Sequence, residues 1–312
     1  MRRSARRVSQ IAALSAFAIV AVGCASPSST LSTGPQATVT SRATAPPASS
    51  SPTPTPTPKP QVTSPFAALA GYISSRPGQT TAAVYDERTG RTWVINPSLI
   101  EDTASIVKVE IMGTLLRQAE KRKTPLSSSV NSLMMTMIEA SDNTSATDLL
   151  NDAGGPSAVQ KFDRSAGMTH TTPSTLAFIP GSTTLPGWGL TTTTAADEVK
   201  LVRKFAYPNK LLDGPSREYG LNLMEHIEAD QAWGVSGGVP SGTTIALKNG
   251  WLPLDLTSYS NWQTDSIGWI DGHGRNYVLA VLSKGNASEQ DGIDTINHIA
   301  ATIYTELGPK SS

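Results

Sequence analysis

A serine and a lysine three positions apart, Ser105 and Lys108, form the combination of side chains in this sequence best suited to nucleophilic chemistry. They fall in the largely apolar run 101–112, which predicts a helix that Thr103 caps and that continues to about Arg122. A spacing of three places the hydroxyl and the amine on one face of that helix. A serine hydroxyl attacks well when a base takes its proton, and a lysine serves as that base when burial or a neighbouring cation lowers its pKa. The pair is a candidate nucleophile and base, although an ordinary surface helix could carry the same two residues.

Two further polar motifs follow, each next to apolar elements. The Ser-Asp-Asn sequence at 141–143 falls in a predicted turn between an apolar helix at 131–140 and the next helix, so its side chains are placed to face a cleft. The Lys-Asn-Gly sequence at 248–250 ends a predicted strand that begins at Thr243. A hydroxyl, a carboxamide and a second cation would surround Ser105 if the three motifs met.

In this order the three motifs resemble those of the class A β-lactamase and penicillin-binding-protein superfamily, whose signatures are Ser-x-x-Lys, Ser-Asp-Asn and Lys-Thr-Gly. The resemblance extends over about residues 66–307. It implies that Ser105 is the nucleophile that becomes acylated and that Lys108 accepts its proton. Ser141 would relay that proton to the leaving nitrogen. Lys248 would lower the pKa of the first lysine and attract a substrate carboxylate.

The resemblance also implies contacts with the substrate. Asn143 would hold the substrate amide and the amine of the base, and Asn249 and Gly250 would face the substrate from the strand. The backbone N–H groups of Ser105 and Trp251 would form an oxyanion hole, which stabilises the negative charge that develops on the attacked carbonyl.

Departures from the family pattern bear on activity. Asn249 replaces the usual Thr or Ser, so the hydroxyl that contacts a substrate carboxylate is absent, although the Asn amide could still donate. Class A hydrolases use a Glu to activate the deacylating water, whereas the loop 164–196 contains no Asp, Glu, Asn or Gln, and His170 is its one candidate base. Ser141 follows Ser105 by 36 positions, a shorter step than is usual, so we expect part of the helical lobe to be missing.

These features predict a serine acyl hydrolase that forms an acyl-enzyme on Ser105 with a β-lactam or a related amide or ester, and that deacylates slowly. A D-alanyl peptidase or esterase acting on the cell wall is one alternative. Another is a non-catalytic ligand-binding lipoprotein with a degenerate site, in which Trp188, Trp233, Trp251 and Trp262 would line a groove. The expected substrate is a small molecule or a fragment derived from peptidoglycan, and no cofactor is implied.

The surrounding elements predict an α+β fold. Strands at 80–85 and 91–95 form a hairpin near the start of the domain, and strands at 266–270 and 277–282 lie near its end. Helices occupy the middle of the chain, and a last helix runs over 292–307. We therefore expect one antiparallel sheet built from both chain ends, with flanking helices and an all-helical lobe.

Residues 1–24 predict an export signal. A basic start precedes the apolar stretch 11–22, which is too short to span a membrane, and Cys24 stands where the signal would end. This pattern resembles a bacterial lipoprotein signal, which implies lipid attachment to the Cys24 thiol; a secretory signal with an incidental cysteine is the alternative. Residues 25–64 are rich in Pro, Ser and Thr and predict a disordered linker before the hydrolase domain at 65–310. We expect an exported protein, lipid-anchored to the outer face of the bacterial cell membrane.

Composition narrows the range of partners. The 25 basic and 25 acidic residues balance, which argues against a nucleic-acid binder because such proteins carry a basic surface. Four scattered histidines and one cysteine show no metal-ligand spacing, so we predict no metal site. We expect a monomer that meets the membrane through its lipid anchor.

Overall fold

The computed structural model describes residues 66–308, and within them the chain forms seven strands and eight α-helices. The strands are β1 (Gln79–Asp86), β2 (Arg91–Ile95), β3 (Glu101–Asp102), β4 (Thr192–Thr193), β5 (Thr244–Asp255), β6 (Ser260–Gly272) and β7 (Arg275–Asn286). The helices are α1 (Ala67–Ser75), α2 (Val107–Arg122), α3 (Ser128–Glu139), α4 (Asn143–Ala153), α5 (Pro156–Ala166), α6 (Ala195–Ala206), α7 (Gly214–Glu225) and α8 (Glu289–Glu306). The predicted signal, Cys24 and the predicted linker lie outside the described residues.

The centre of the domain is a five-stranded antiparallel sheet in the order β2-β1-β7-β6-β5. Strand β1 of the first hairpin pairs with β7 of the last one, so that Gln79 faces Lys284 and Asp86 faces Tyr277. Both ends of the described chain therefore contribute to one sheet, which confirms the predicted α+β fold.

The sheet is the middle layer of the domain, and its central strands are buried on both faces. In β1, Ala83 and Tyr85 pack with the helical lobe, whereas Ala82 and Val84 pack with α1 and α8 on the opposite face. This follows from the alternation of side chains along a strand. Among the helices that the structure describes, none is both long enough and apolar enough to cross a membrane.

The helix that carries Lys108 begins later than predicted. Residues Ala104–Ile106 form a 3-10 turn, and α2 starts at Val107. The predicted cap at Thr103 is wrong, because this residue has φ −85° and ψ −20° and its side chain accepts no capping hydrogen bond. A capping residue usually adopts an extended backbone from which its oxygen can reach the first free N–H groups.

Strand β5 continues beyond its predicted end. The Lys-Asn-Gly sequence at 248–250 lies in the middle of the strand and pairs with Ile267, Ser266 and Asp265 of β6. A glycine within a strand pattern can mark a close approach of another backbone as well as a strand end. The close approach is what occurs here, as the contacts of Gly250 show below.

The Ser-Asp-Asn motif forms the predicted turn between two helices. Asp142 caps α4 by accepting the Ser145 N–H at 2.6 Å. The predicted start of α3 at residue 131 is three residues late, because the Ser127 hydroxyl caps that helix by accepting the Val130 N–H.

Three of the acidic side chains that are fully buried among the helices have raised pKa values. Glu110 lies on α2, Asp163 on α5 and Glu198 on α6. Burial raises the pKa of Asp163 and that of Glu198 to about 8, and it raises the pKa of Glu110 well above its usual value. These carboxyl groups therefore keep their protons at neutral pH in the folded state.

We expect the domain to lose stability as the pH rises from about 5 to about 8. Over this interval the unfolded chain releases carboxyl protons that the folded chain retains, so rising pH favours unfolding. Each unit of pKa difference is worth about 1.4 kcal/mol, and Glu198→Gln, which cannot ionise, should reduce the loss by at least about that amount. Urea unfolding at the two pH values measures the effect, with the exposed Glu218→Gln as the control. The same pH dependence in Glu198→Gln and the unaltered protein would contradict this account.

Candidate active site

Ser105 lies on the 3-10 turn, where that turn packs against β5. A Cβ added at Gly250 would lie 2.7 Å from the Ser105 nitrogen and 2.7 Å from the Thr103 carbonyl oxygen. A larger residue would push the turn away from the strand, so glycine permits direct contact between the two backbones. The contact holds Ser105 beside the strand that carries Trp251, whose N–H was expected to share the oxyanion hole.

Lys108 reaches from the first turn of α2 into a polar cluster. Its Nζ lies 3.0 Å from Ser105 Oγ, 3.0 Å from Ser141 Oγ, 2.6 Å from the Ser141 carbonyl oxygen and 2.9 Å from Asn143 Oδ1. The side chain is fully buried. A neutral amine has two hydrogens and one lone pair, so the two carbonyl-type oxygens can accept the hydrogens while the lone pair faces the Ser105 hydroxyl.

Lys248 approaches the same cluster from β5. Its Nζ lies 3.0 Å from Ser141 Oγ and 3.1 Å from the Asn249 carbonyl oxygen, and the side chain is fully buried. Ser141 Oγ therefore lies between the two lysine nitrogens. One cluster therefore brings together three distant parts of the chain, which carry the Ser105–Lys108 pair, Ser141 and Lys248.

Burial changes the acid–base behaviour of both amines. It lowers the pKa of Lys108 to about 6, with the nearby charge of Lys248 acting in the same direction and that of Asp142 in the opposite one. Burial also lowers the pKa of Lys248 to about 7. The cause is that an ammonium group loses its favourable hydration when it leaves water. At neutral pH Lys108 is mainly unprotonated and able to accept a proton from Ser105.

The backbone around Ser141 holds its hydroxyl in place. Ser141 has a φ of 56°, in the left-handed region that residues other than glycine rarely adopt. The Asp142 N–H donates to the Thr136 carbonyl at 3.0 Å, and the Gln231 side chain donates to the Ala140 carbonyl at 3.3 Å. An unfavourable backbone conformation persists where the surroundings fix it in this way.

The side chain of Asn249 is turned away from the nucleophile. Its Nδ2 donates to the Gln231 carbonyl at 2.7 Å and to the Trp233 carbonyl at 2.9 Å, and the residue is fully buried. Both amide hydrogens are used inside the protein, so the donation to substrate considered from the sequence does not fit this arrangement. The two carbonyl contacts hold the side chain in this orientation. Asn249 instead braces the segment that includes Gln231.

The long loop between α5 and α6 covers the base. The ring centroid of Trp188 lies 5.0 Å from Lys108 Nζ, and the indole Nε1 donates to Thr147 Oγ1 on α4 at 3.1 Å. Trp188 is 7% exposed. The preceding Gly187 lies so close to the Leu176 carbonyl that a Cβ would collide with it. An indole ring thus stands beside the Lys108 amine and helps to separate it from solvent.

Ser105 opens onto a cavity of about 540 Å³. Ser141 and Asn143 line the cavity next to Ser105, and loop residues 181–185 form another part of its wall. The remaining wall comes from the β5–β6 hairpin, through Trp251–Pro253, Leu256, Tyr259 and Trp262.

The four tryptophans predicted to line a groove have different positions. Trp251 and Trp262 line the main cavity, and Trp188 lines a smaller cavity that also reaches Ser105. Trp233 packs edge-on against Trp251, with 5.9 Å between ring centroids. Three of the four therefore face space near the nucleophile, and the fourth supports one of them.

No carboxylate lines the main cavity in the part of the chain that the structure describes. His170, the candidate loop base, is absent from the cavity wall, and its side chain is 66% exposed. Asp148 lines a separate cavity that does not include Ser105. Within residues 66–308 no group of three His, Cys, Asp or Glu side chains is placed to hold a metal ion.

Two features of the site escaped the sequence reasoning. Trp188 was predicted only to line a groove. A tryptophan in a loop of small residues can also indicate that the loop packs over a buried group. Gln231 gave no signal, because its contribution comes partly from a backbone carbonyl that any residue would supply.

Comparison with known proteins identifies relatives of this chain. A protein-family model described as the beta-lactamase enzyme family matches residues 121–307. The match includes the 141–143 turn and Lys248, and it begins after Ser105 and Lys108. LppW of Mycobacterium tuberculosis, named as a candidate lipoprotein, is 27% identical over 256 residues, which cover 78% of this chain and 73% of that protein.

Solved structures show the same fold. The TLA-1 extended-spectrum β-lactamase aligns with a TM-score of 0.69 at 19% identity, over 78% of this chain and 98% of that chain. A class A β-lactamase from Mycobacterium abscessus aligns with a TM-score of 0.63 at 23% identity, over 76% of this chain and 97% of that chain. At these identities the likeness concerns the fold alone.

We expect Asn249→Ala to destabilise the domain by roughly 2 kcal/mol or more, because two buried carbonyl oxygens lose their donors. Those carbonyls belong to Gln231 and Trp233. Urea unfolding measures the loss, and Asn151→Ala, at an exposed site on α4, is the matched control. A loss no larger than that of the control would mean that the brace contributes nothing.

Proposed function

Because the chain belongs to the beta-lactamase enzyme family, we propose that it is a serine acyl hydrolase that forms an acyl-enzyme through Ser105. The observation that carries the proposal is the position of Lys108 Nζ, 3.0 Å from both Ser105 Oγ and Ser141 Oγ in a buried cluster. A serine and a lysine on an ordinary surface helix would not meet a second serine and a second lysine. The convergence also argues against a site that only binds a ligand.

Acylation follows from the contacts within the cluster. Lys108 takes the Ser105 proton as Oγ attacks the substrate carbonyl carbon, and the N–H groups of Ser105 and Trp251 stabilise the oxyanion, each such donor contributing roughly 3 kcal/mol. The proton then passes through Ser141 Oγ to the leaving nitrogen or oxygen as its bond to the carbonyl carbon breaks. Lys248, 3.0 Å from Ser141 Oγ, favours the transfer by stabilising negative charge on that oxygen.

Deacylation should be slow for a physical reason. Hydrolysis of the acyl-enzyme needs a water molecule and a base that takes its proton. The loop side of Lys108 is occupied by the indole of Trp188, 5.0 Å from Nζ, and the described cavity wall has no carboxylate. The acyl-enzyme on Ser105 should therefore accumulate during turnover.

The proposal extends to the location of the protein. LppW, a relative at 27% identity, is named as a candidate lipoprotein, and Cys24 stands at the end of the predicted signal in this chain. We propose that the chain is exported and anchored by lipid at Cys24, and that residues 25–64 hold the domain away from the membrane. There it would meet small-molecule or peptidoglycan-derived amides and esters.

Exposure to penicillin or to an activated ester should leave one covalent acyl group on Ser105. The expected kinetics are a burst equal to the enzyme concentration and then slow release, because acylation has its base and deacylation does not. Intact-protein mass spectrometry and peptide mapping detect the adduct. Ser105→Ala should abolish it, whereas Ser132→Ala, on the exposed side of α3, should retain it.

The same experiment separates the alternatives. Turnover of a D-Ala-D-Ala peptide would identify a peptidase, and turnover of the ester alone would identify an esterase. The absence of an adduct with every acyl donor, together with ligand binding that Ser105→Ala leaves unchanged, would instead indicate a binding protein.

The acylation rate constant should rise with pH around a midpoint near 6, because it depends on the unprotonated form of Lys108. Lys248→Met removes a neighbouring positive charge, so the pKa of Lys108 and the midpoint should move to higher pH. Stopped-flow acylation between about pH 5 and pH 9 measures the midpoint, with the exposed Lys210→Met as the control. A midpoint that Lys248→Met leaves in place, or moves downward, is incompatible with the assigned roles.

A further inference from the structure

The cavity over Ser105 is lined by uncharged groups. Of the described side chains that form its wall, none belongs to Arg, Lys, His, Asp or Glu. The polar groups are hydroxyls and a carboxamide, such as those of Ser182, Thr183 and Asn143. A carboxylate in this cavity would have hydroxyl and amide donors but no cation as a partner, so it would regain only part of the hydration that it loses.

The two nearby lysines do not supply the missing charge. Lys108 and Lys248 are fully buried, and neither lines the cavity. The contacts of Lys248 Nζ are Ser141 Oγ and the Asn249 carbonyl oxygen, both within the protein. Burial lowers its pKa to about 7, so it carries only part of a positive charge at neutral pH. The side chain of Asn249 is turned away, so the strand offers no side-chain donor for a carboxylate at this position.

The hairpin side of the cavity is aromatic and held in a fixed shape. Trp262 Nε1 donates to the Tyr259 carbonyl at 2.9 Å, and Trp251 packs against Trp233. Asp255 accepts the Thr257 N–H at 2.9 Å in the turn of the hairpin. Tyr259 is 67% exposed, which leaves its ring free to contact a ligand. A fixed aromatic wall that faces hydroxyl and amide groups suits uncharged organic ligands.

We infer that the natural substrates are neutral esters with an aromatic or apolar acyl group and no carboxylate near the scissile bond, a substrate class that rests on the proposed acyl-enzyme function. Ser105 Oγ forms a bond to the ester carbonyl carbon, the bond between that carbon and the alcohol oxygen breaks, and the Ser105 proton leaves with the alcohol. Water then hydrolyses the acyl-enzyme, which releases the carboxylic acid and restores the hydroxyl. The acyl group lies against Trp251, Tyr259 and Trp262.

The test uses two substrates that differ by one charge. They are the phenyl ester of phenylacetylglycine and the same ester with a meta-carboxylate on the phenol, assayed with the full-length protein in detergent. We expect kcat/KM to be at least about tenfold higher for the neutral ester, because the described cavity wall offers the carboxylate no cation to offset its lost hydration. Equal values, or a preference for the carboxylate, would overturn the inference while leaving the acyl-enzyme function intact.

Two variants make the test independent of a single comparison. Thr183→Lys places a cation on the exposed loop wall and should reduce the preference for the neutral ester several-fold, mainly by improving turnover of the charged one. Tyr259→Ala should raise KM for the phenyl ester of phenylacetylglycine more than KM for phenyl acetate, whose acyl group has no aromatic ring. Unchanged selectivity in both variants would contradict the placement. Failure of both esters to acylate Ser105 while penicillin acylates it would overturn this inference alone, whereas failure of both esters and of penicillin would refute the proposed function itself.

Discussion

The burial of two lysine amines around one serine hydroxyl is the constraint on which the site depends. Ser141 Oγ lies 3.0 Å from Lys108 Nζ and from Lys248 Nζ, and both lysines are fully buried. Two fully charged ammonium groups on either side of one hydroxyl, both removed from water, would repel each other strongly and lack hydration. The cluster is therefore stable with fewer protons than two exposed lysines would hold. An amine that lacks its extra proton has a free lone pair, which the proposed base requires. The fold must therefore exclude water from the cluster as well as position its atoms.

Backbone contact and packing meet this requirement without additional charges. Gly250 lets the turn that carries Ser105 lie directly against β5, and a left-handed backbone at Ser141 sets its hydroxyl between the amines. Trp188 closes the cluster from the loop side and is itself held by Thr147. The proposal of slow deacylation rests on the same closure, because the ring limits the approach of water to the Lys108 amine.

Much of this arrangement was predictable because it depends on local patterns. The three motifs, their order and the helix–turn–helix around Ser141 follow from residue types and apolar periodicity, and so do the strands that build the sheet. The position of Gly250 within β5 was not predictable, because a glycine is typical both of a strand end and of a close approach between two backbones. The roles of Asn249 and Trp188 depend on contacts with segments far away in the chain. Periodicity shows which face a side chain occupies, and it does not show what lies opposite.

The brace formed by Asn249 limits how this protein can evolve. A threonine at that position, the commoner choice in the family that the motifs resemble, has one hydroxyl hydrogen and cannot serve both the Gln231 and the Trp233 carbonyls. Asn249→Thr alone would therefore leave one of the two buried carbonyls without its donor and weaken the fold. A hydroxyl side chain at position 249 is therefore compatible with this fold only if the Gln231 and Trp233 carbonyls find other donors.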